Sequence, residues 1–240
     1  MSSILDMLKT AAMPLGKTMY IYGGGWNEAD DGAGRECLTM GLSPKWSAFA
    51  NSCGADYDFR SYDYKRDKSV IHLGLDCSGY VGWVLFNTLK NGSGQGYVFK
   101  STEVVKRLSE MGLGRRIPRS EVKTHRAGDI MSSSCGCCAH VYICVGECED
   151  KSLVLLHSSP CGVQLSGTYT PQGDKNSMAA AAAESYMKRY YPKWMERFPD
   201  CLRDEKYLTH YEQLENTFCS DNENVRNMTA EMVLELIFNE

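Results

Sequence analysis

The sequence predicts an α+β fold, an antiparallel sheet packed against helices. An apolar segment with helical spacing occupies residues 76–90. Short β-rich runs separated by turn residues follow between residues 130 and 165. Stretches of helical character then fill the C-terminal part. At 240 residues the chain is long enough to bury roughly 70% of its unfolded surface, so it can build a core without metal or disulfide support.

Taken in order, residues 2–13 space Ile4, Leu5, Met7, Leu8, Ala11 and Ala12 as an amphipathic helix, ended by Pro14 and Gly16. Thr18 to Tyr22 reads as a brief extended segment stopped by Gly23-Gly24-Gly25. Residues 26–73 are polar, rich in Asp, Gly and Ser, and weakly periodic; they predict a long insertion over the surface, the kind of loop that often carries function. The next helix starts at Asp76-Cys77 and ends at Asn91-Gly92, with Tyr80, Val81, Val84, Leu85, Thr88 and Leu89 on one face. Gly79 and Gly82 near that face predict close packing against a sheet. Residues 101–112 predict another helix, with Ser101 or Thr102 as cap and Gly112 as stop. Ile130-Met131, His140–Val145, Ser152–His157 and Val163-Gln164-Leu165 predict short strands of a meander. Residues 178–190, with five consecutive alanines, predict a helix, as do 204–216 and 229–238. The expected organisation is a domain over 1–170, carrying the 26–73 insertion, and a helical C-terminal extension over 171–240 packed on it.

Composition narrows the function. A net charge of −4 lacks the basic excess of a nucleic-acid binder. No apolar run approaches the ~20 residues that cross a bilayer, so no membrane span is expected. The first residues lack a basic start, an unbroken apolar stretch and a small-residue cleavage site. Together with 11 Cys, an odd number that reads as mostly reduced thiols, this favours a cytoplasmic protein, the alternative being export or wall association.

The chemistry centres on Leu75-Asp76-Cys77-Ser78-Gly79-Tyr80. A Cys in the first turn of a helix meets unpaired N–H groups and the positive end of the dipole, which favour the thiolate and could hold an acyl-transfer oxyanion. The competing reading makes Cys77 a small core residue. His140 begins one strand and His157 ends the next, so a hairpin brings both imidazoles to one end of the sheet. A nucleophile, a base and an orienting group then occur in chain order as Cys77, His140 and His157.

The stretches Tyr20-Ile21-Tyr22-Gly23-Gly24, Asp76-Cys77-Ser78-Gly79-Tyr80-Val81, Ala127-Gly128-Asp129-Ile130 and His140-Val141-Tyr142-Ile143, followed by Leu155-Leu156-His157-Ser158-Ser159, resemble the successive signatures of the NlpC-type cell-wall peptidases. The resemblance spans roughly residues 2–168 and rests on the order of the motifs. It implies a papain-like fold, with Cys77 as nucleophile, His140 as general base and His157 orienting it. It implies peptidoglycan stem peptides or their fragments as substrate, usually cut after D-γ-glutamate and before a diamino acid. It also implies substrate-binding roles for Tyr22, Asp76 and Ser78, beside which Asp76 could serve only as a helix cap and Tyr22 only as packing. The long gap between Gly25 and Leu75 departs from the family pattern and predicts a lid or a wall of the groove. The tail after residue 170 has no counterpart in the basic fold.

Other clusters are weaker. Cys135-Gly136-Cys137-Cys138-Ala139-His140 could bind zinc, with Cys144 and Cys148 as additions, but no second ligand pair is evident. The expectation is no metal and no cofactor. Gly23-Gly24-Gly25 lacks the Lys-Ser/Thr ending of a phosphate loop. Tyr186, Tyr190, Tyr191 and Trp194 could stack on sugars, although packing along a helix is the commoner use. Four functions remain open: a cysteine peptidase, an amidase or acyltransferase using the same triad, a catalytically silent binding module, and a zinc-stabilised interaction protein built on the Cys135 cluster.

Overall fold

Ser3 starts the first helix, α1 (Ile4–Ala12), through a reciprocal capping box with Asp6, and its apolar spacing buries Ile4, Met7, Leu8, Ala11 and Ala12. The computed structural model describes residues 2–90, 94–133 and 139–239. The helix expected from residue 76 is α3 (Cys77–Leu89), capped by the Asp76 carboxylate and ended by Lys90 in the left-handed region at φ 45°. It is not one-sided. Every residue from Cys77 to Thr88 is buried, so α3 runs through the middle of the molecule. Its glycines do not approach a sheet. A Cβ on Gly79 would lie 2.1 Å from the Gly24 carbonyl oxygen, and one on Gly82 would lie 2.5 Å from a Val98 methyl, so both glycines admit loop segments.

The insertion is also more than a surface strap. It holds α2 (Pro44–Ser52), which buries Trp46 and Ala50. Trp46 meets Trp83 of α3 edge to face at 5.8 Å. Cys37, Val70 and Ile71 join the same core. The next helix is α4 (Val104–Glu110); Glu103 is its N-cap, without a side-chain cap bond, in place of Ser101 or Thr102.

The sheet has seven strands: β1 (Gly114–Ile117), β2 (Ile130–Ser133), β3 (Val141–Glu147), β4 (Leu153–Ser159), β5 (Gly162–Thr168), β6 (Leu202–Arg203) and β7 (Tyr211–Asn216). Their order is β1-β7-β2-β3-β4-β5-β6, antiparallel except for the β5–β6 pair. The fold is thus α+β around a mostly antiparallel sheet. One face carries Val141, Ile143, Val154, Leu156, Val163 and Leu165 into the main core. The other carries Met131, Tyr142, Cys144, Leu153 and Leu155 into a smaller cluster with Tyr211.

The C-terminal part differs most from expectation. α5 (Met178–Tyr190) forms as predicted and lies against β5, where Gly167 admits the backbone of Ala179. α6 (Pro192–Arg197) and α8 (Ala230–Phe238) complete the helices of this part. Residues 204–216 do not form one helix. They make the short α7 (Lys206–Thr209) and then β7, which inserts between β1 and β2. Residue 170 is therefore no boundary in the sheet: the tail supplies an internal strand. Tyr186, Tyr190 and Tyr191 pack on Phe238 of α8, and Trp194 is buried. Among the described residues, no helix is long and apolar enough to cross a membrane.

Candidate active site

The start of α3 is set by its surroundings. The Leu75 carbonyl accepts the Ser158 hydroxyl at 2.7 Å, and the Asp76 N–H donates to the Gly24 carbonyl at 2.9 Å. The β3–β4 register runs from Ile143–Leu156 to Glu147–Leu153. Beyond that pairing, at the same end, the N–H of Val141 turns to the Cys77 sulfur. The thiol therefore sits against the peptide bond that follows His140. The N–H groups of Cys77 and Ser78 also reach the sulfur.

The two histidines meet. His140, directly before β3, and His157, in β4, place Nε2 and Nδ1 2.9 Å apart, with ring centroids at 5.1 Å and planes at 80°. His157 Nε2 lies 2.9 Å from the Ser166 hydroxyl of β5. Gln164 donates to the same hydroxyl at 3.3 Å and to the Asp200 carbonyl at 2.8 Å. Strand alternation explains the set: His157, Gln164 and Ser166 all project from the face that carries Tyr142 and Leu155. His157 is fully buried and His140 partly exposed.

The electrostatics correct one expectation. Burial, and then the neighbouring Asp76 carboxylate, push the Cys77 thiol up to about 12. Three N–H groups at the sulfur pull the other way and lose, because the side chain is nearly covered and a buried acid stands beside it. Burial, then the Arg203 guanidinium, pull His140 down to about 3, and the same causes hold His157 well below the ordinary imidazole range. At neutral pH Cys77 thus rests as a neutral thiol and both imidazoles are neutral, not the thiolate expected from the helix terminus.

Asp76, Ser78 and Tyr22 all border a cleft of about 270 Å³ that opens onto Cys77. Burial raises Asp76 to about 6 against the N–H groups of Gly79 and Ser78, the Ser78 hydroxyl and the Trp26 side chain. Its oxygen accepts from Gly79 at 2.7 Å and from Ser78 Oγ at 2.9 Å, so both residues chiefly build the helix start. Tyr22 is 46% exposed and lies on the cleft wall under Lys65, whose ammonium is 5.9 Å from its ring. The insertion does supply a wall, through Trp26, Asp30, Tyr64 and Lys65, and Lys100 stands at the rim.

The sequence reasoning passed over Tyr20, Arg203 and Tyr207. Tyr20 lines the cleft, and burial, with the Asp76 carboxylate nearby, holds its hydroxyl protonated. The signal for it was present: in an extended Tyr20-Ile21-Tyr22 both tyrosines share a face, opposite buried Ile21. Arg203 and Tyr207 carry no local signal. Among the described residues, no group of three His, Cys, Asp or Glu is arranged to hold a metal; Cys135, Cys137 and Cys138 lie outside the described residues. Comparison with protein-family models, curated proteins and solved structures finds no match for the chain.

Proposed function

We propose that the protein is a papain-like cysteine hydrolase of the NlpC type, cutting amide bonds in peptidoglycan stem peptides after D-γ-glutamate. One observation carries the reading: the thiol at the start of α3 faces the peptide after His140, and His140 continues through His157 to Ser166 in one hydrogen-bonded chain. The order of the sequence motifs supports the same assignment. Lys65 and Lys100 on the cleft walls suit a substrate rich in carboxylates.

In this mechanism the substrate carbonyl enters the cleft at Cys77. His140 takes the thiol proton as sulfur attacks, so charge separates only as the S–C bond forms. The N–H groups of Cys77 and Ser78 hold the oxyanion. The C–N bond breaks as the imidazolium returns its proton to the leaving amine. Water, deprotonated by His140, then hydrolyses the thioester and restores the thiol. His157 holds the ring of His140 throughout.

The test is mass spectrometry of products from free muropeptides and intact sacculi. Cleavage is expected between D-glutamate and the diamino acid, and Cys77→Ala should abolish it while the far-ultraviolet spectrum stays unchanged. Equal turnover by that variant removes the mechanism. The high thiol value favours one competing reading, a silent binding module. Cys77 alkylated by iodoacetamide no faster than an ordinary thiol, in protein saturated with stem peptide, together with no cleavage, would establish it. Transfer to an added amine would instead mark an acyltransferase with the same triad.

A further inference from the structure

A Cys–His–His arrangement needs only α3, β3 and β4, yet a segment from the distant tail covers it. Arg203 lies on β6, next to Thr168 of β5. Its guanidinium reaches back over β5 and donates to the Ser159 hydroxyl at 3.0 Å, two residues beyond His157 on β4. The side chain is only 12% exposed, and its acidic partner, Asp200 at 3.5 Å, is 79% exposed. Tyr207, on α7, sets its ring against both imidazoles, 5.7 Å from His140 and 6.2 Å from His157, at 65° and 82°. Tyr207 is in turn stacked on Tyr211 at 5.5 Å, and its carbonyl accepts the Tyr142 hydroxyl.

The groups facing the pair are Tyr142 from β3, Arg203 from β6 and Tyr207 from α7, with Cys77 of α3 near Tyr207. Asp200 and Asp204 stand at the outer edge. Among the described residues, neither ring is hydrogen-bonded to a carboxylate. An imidazolium formed here would face a guanidinium with no counter-anion in contact.

We propose that Arg203 and Tyr207 are positioning residues for the histidine pair: Tyr207 fixes the two ring planes, and the buried Arg203 guanidinium, held at Ser159 two residues past His157, sets the polarity that the rings meet. The purpose of this device rests on the hydrolase reading; its readout does not. The Arg203 charge acts on both rings, while the state of the sulfur follows burial and Asp76. Removing the guanidinium therefore favours imidazolium at both rings.

The experiment follows the imidazole nitrogens of the full chain by nitrogen-15 spectroscopy across pH. In wild type both rings stay neutral from pH 8 down to about pH 5. Arg203→Gln is expected to move the onset of ring protonation up by roughly one pH unit. Arg203→Lys keeps the charge and should restore wild-type behaviour. Tyr207→Ala should change the ring signals of both histidines, and Tyr207→Phe should leave them in place. Ser159→Ala frees the guanidinium without deleting it and should give a smaller shift of the same sign. That variant decides the question should Arg203→Gln fail to fold. Ring titration identical to wild type in a folded Arg203→Gln, or in Ser159→Ala, overturns the proposal. If these shifts appear while no stem peptide is cleaved, the hydrolase reading falls and the positioning roles stand.

Discussion

A sulfur at a helix start feels two opposed influences, N–H groups that favour its anion and burial that opposes it. Here burial wins, and the same low-polarity environment keeps His140 and His157 uncharged. This has a consequence for stability. Below the ordinary imidazole value of 6.5, the unfolded chain binds protons that the two folded rings refuse, so their contribution is complete above that pH and is lost on acidification. Asp76 acts in the other direction: between 3.8 and about 6 it holds a proton in the folded state that the unfolded chain lacks. Two rings outweigh one carboxyl. His157→Gln should therefore flatten the fall in urea midpoint between about pH 7 and pH 5, and Asp76→Asn should steepen it. Parallel curves for wild type and His157→Gln would show that His157 is not held neutral. At this scale Cys77, His140 and His157 were legible as candidates, because reactive side chains in a fixed order are local information. Their protonation states were not, since these depend on Asp76, Arg203 and the depth of burial.

At the scale of elements, the segments whose apolar pattern is sufficient in itself formed as expected: α1, α3, α5, α8 and the strands β2 to β5. The failures have particular causes. Tyr211-Glu-Gln-Leu-Glu-Asn216 carries good helix formers, but it lies between β1 and β2 and pairs with both, so partners override propensity. Gly114-Arg-Arg-Ile117 has no apolar alternation because it is an outer strand, its arginines paired with Glu215 and Glu212 of β7. Gly79 is the sharpest constraint within an element. Its Cα side meets Gly24 and Gly25, and a Cβ would sit 2.1 Å from the Gly24 oxygen and 3.0 Å from the Gly25 Cα. Both obstacles are backbone, so neither can swing aside. Gly79→Ala should cost roughly 3 kcal/mol, the upper part of the overpacking range, and lower the melting temperature by about 6–12 °C in a chain of this size. A melting temperature unchanged by calorimetry would show that the Gly24 loop yields freely.

For the whole molecule, the decisive joint is Asp129, fully buried in the turn before β2. Its carboxylate accepts from Gln213 of β7 and from the Asn216 N–H, and pairs with Arg226 at 2.8 Å. Arg226 also donates to the Asn216 carbonyl at 2.7 Å. The tail is thus tied to the sheet through one charge. Arg226→Ala leaves that charge without its cation and should destabilise the chain by about 3 kcal/mol, the low end for a broken buried pair because Gln213 and the N–H groups of Asn216 and Arg126 still donate to it. Urea unfolding measures it, and a loss under about 1 kcal/mol would class the pair with surface bridges.

What the sequence determined alone was whatever neighbours along the chain can specify: the amphipathic and β-rich segments, the helix cap at Asp76, and the ordered appearance of a thiol and two imidazoles. Tertiary structure decided the rest. It threaded the tail into the middle of the sheet, brought Arg203 and Tyr207 onto the histidines, and set the charge of the thiol. The physical reason is range. Helix and strand patterns are written in contacts a few residues apart, whereas strand partners and local polarity depend on groups far away along the chain, whose arrival no single segment records.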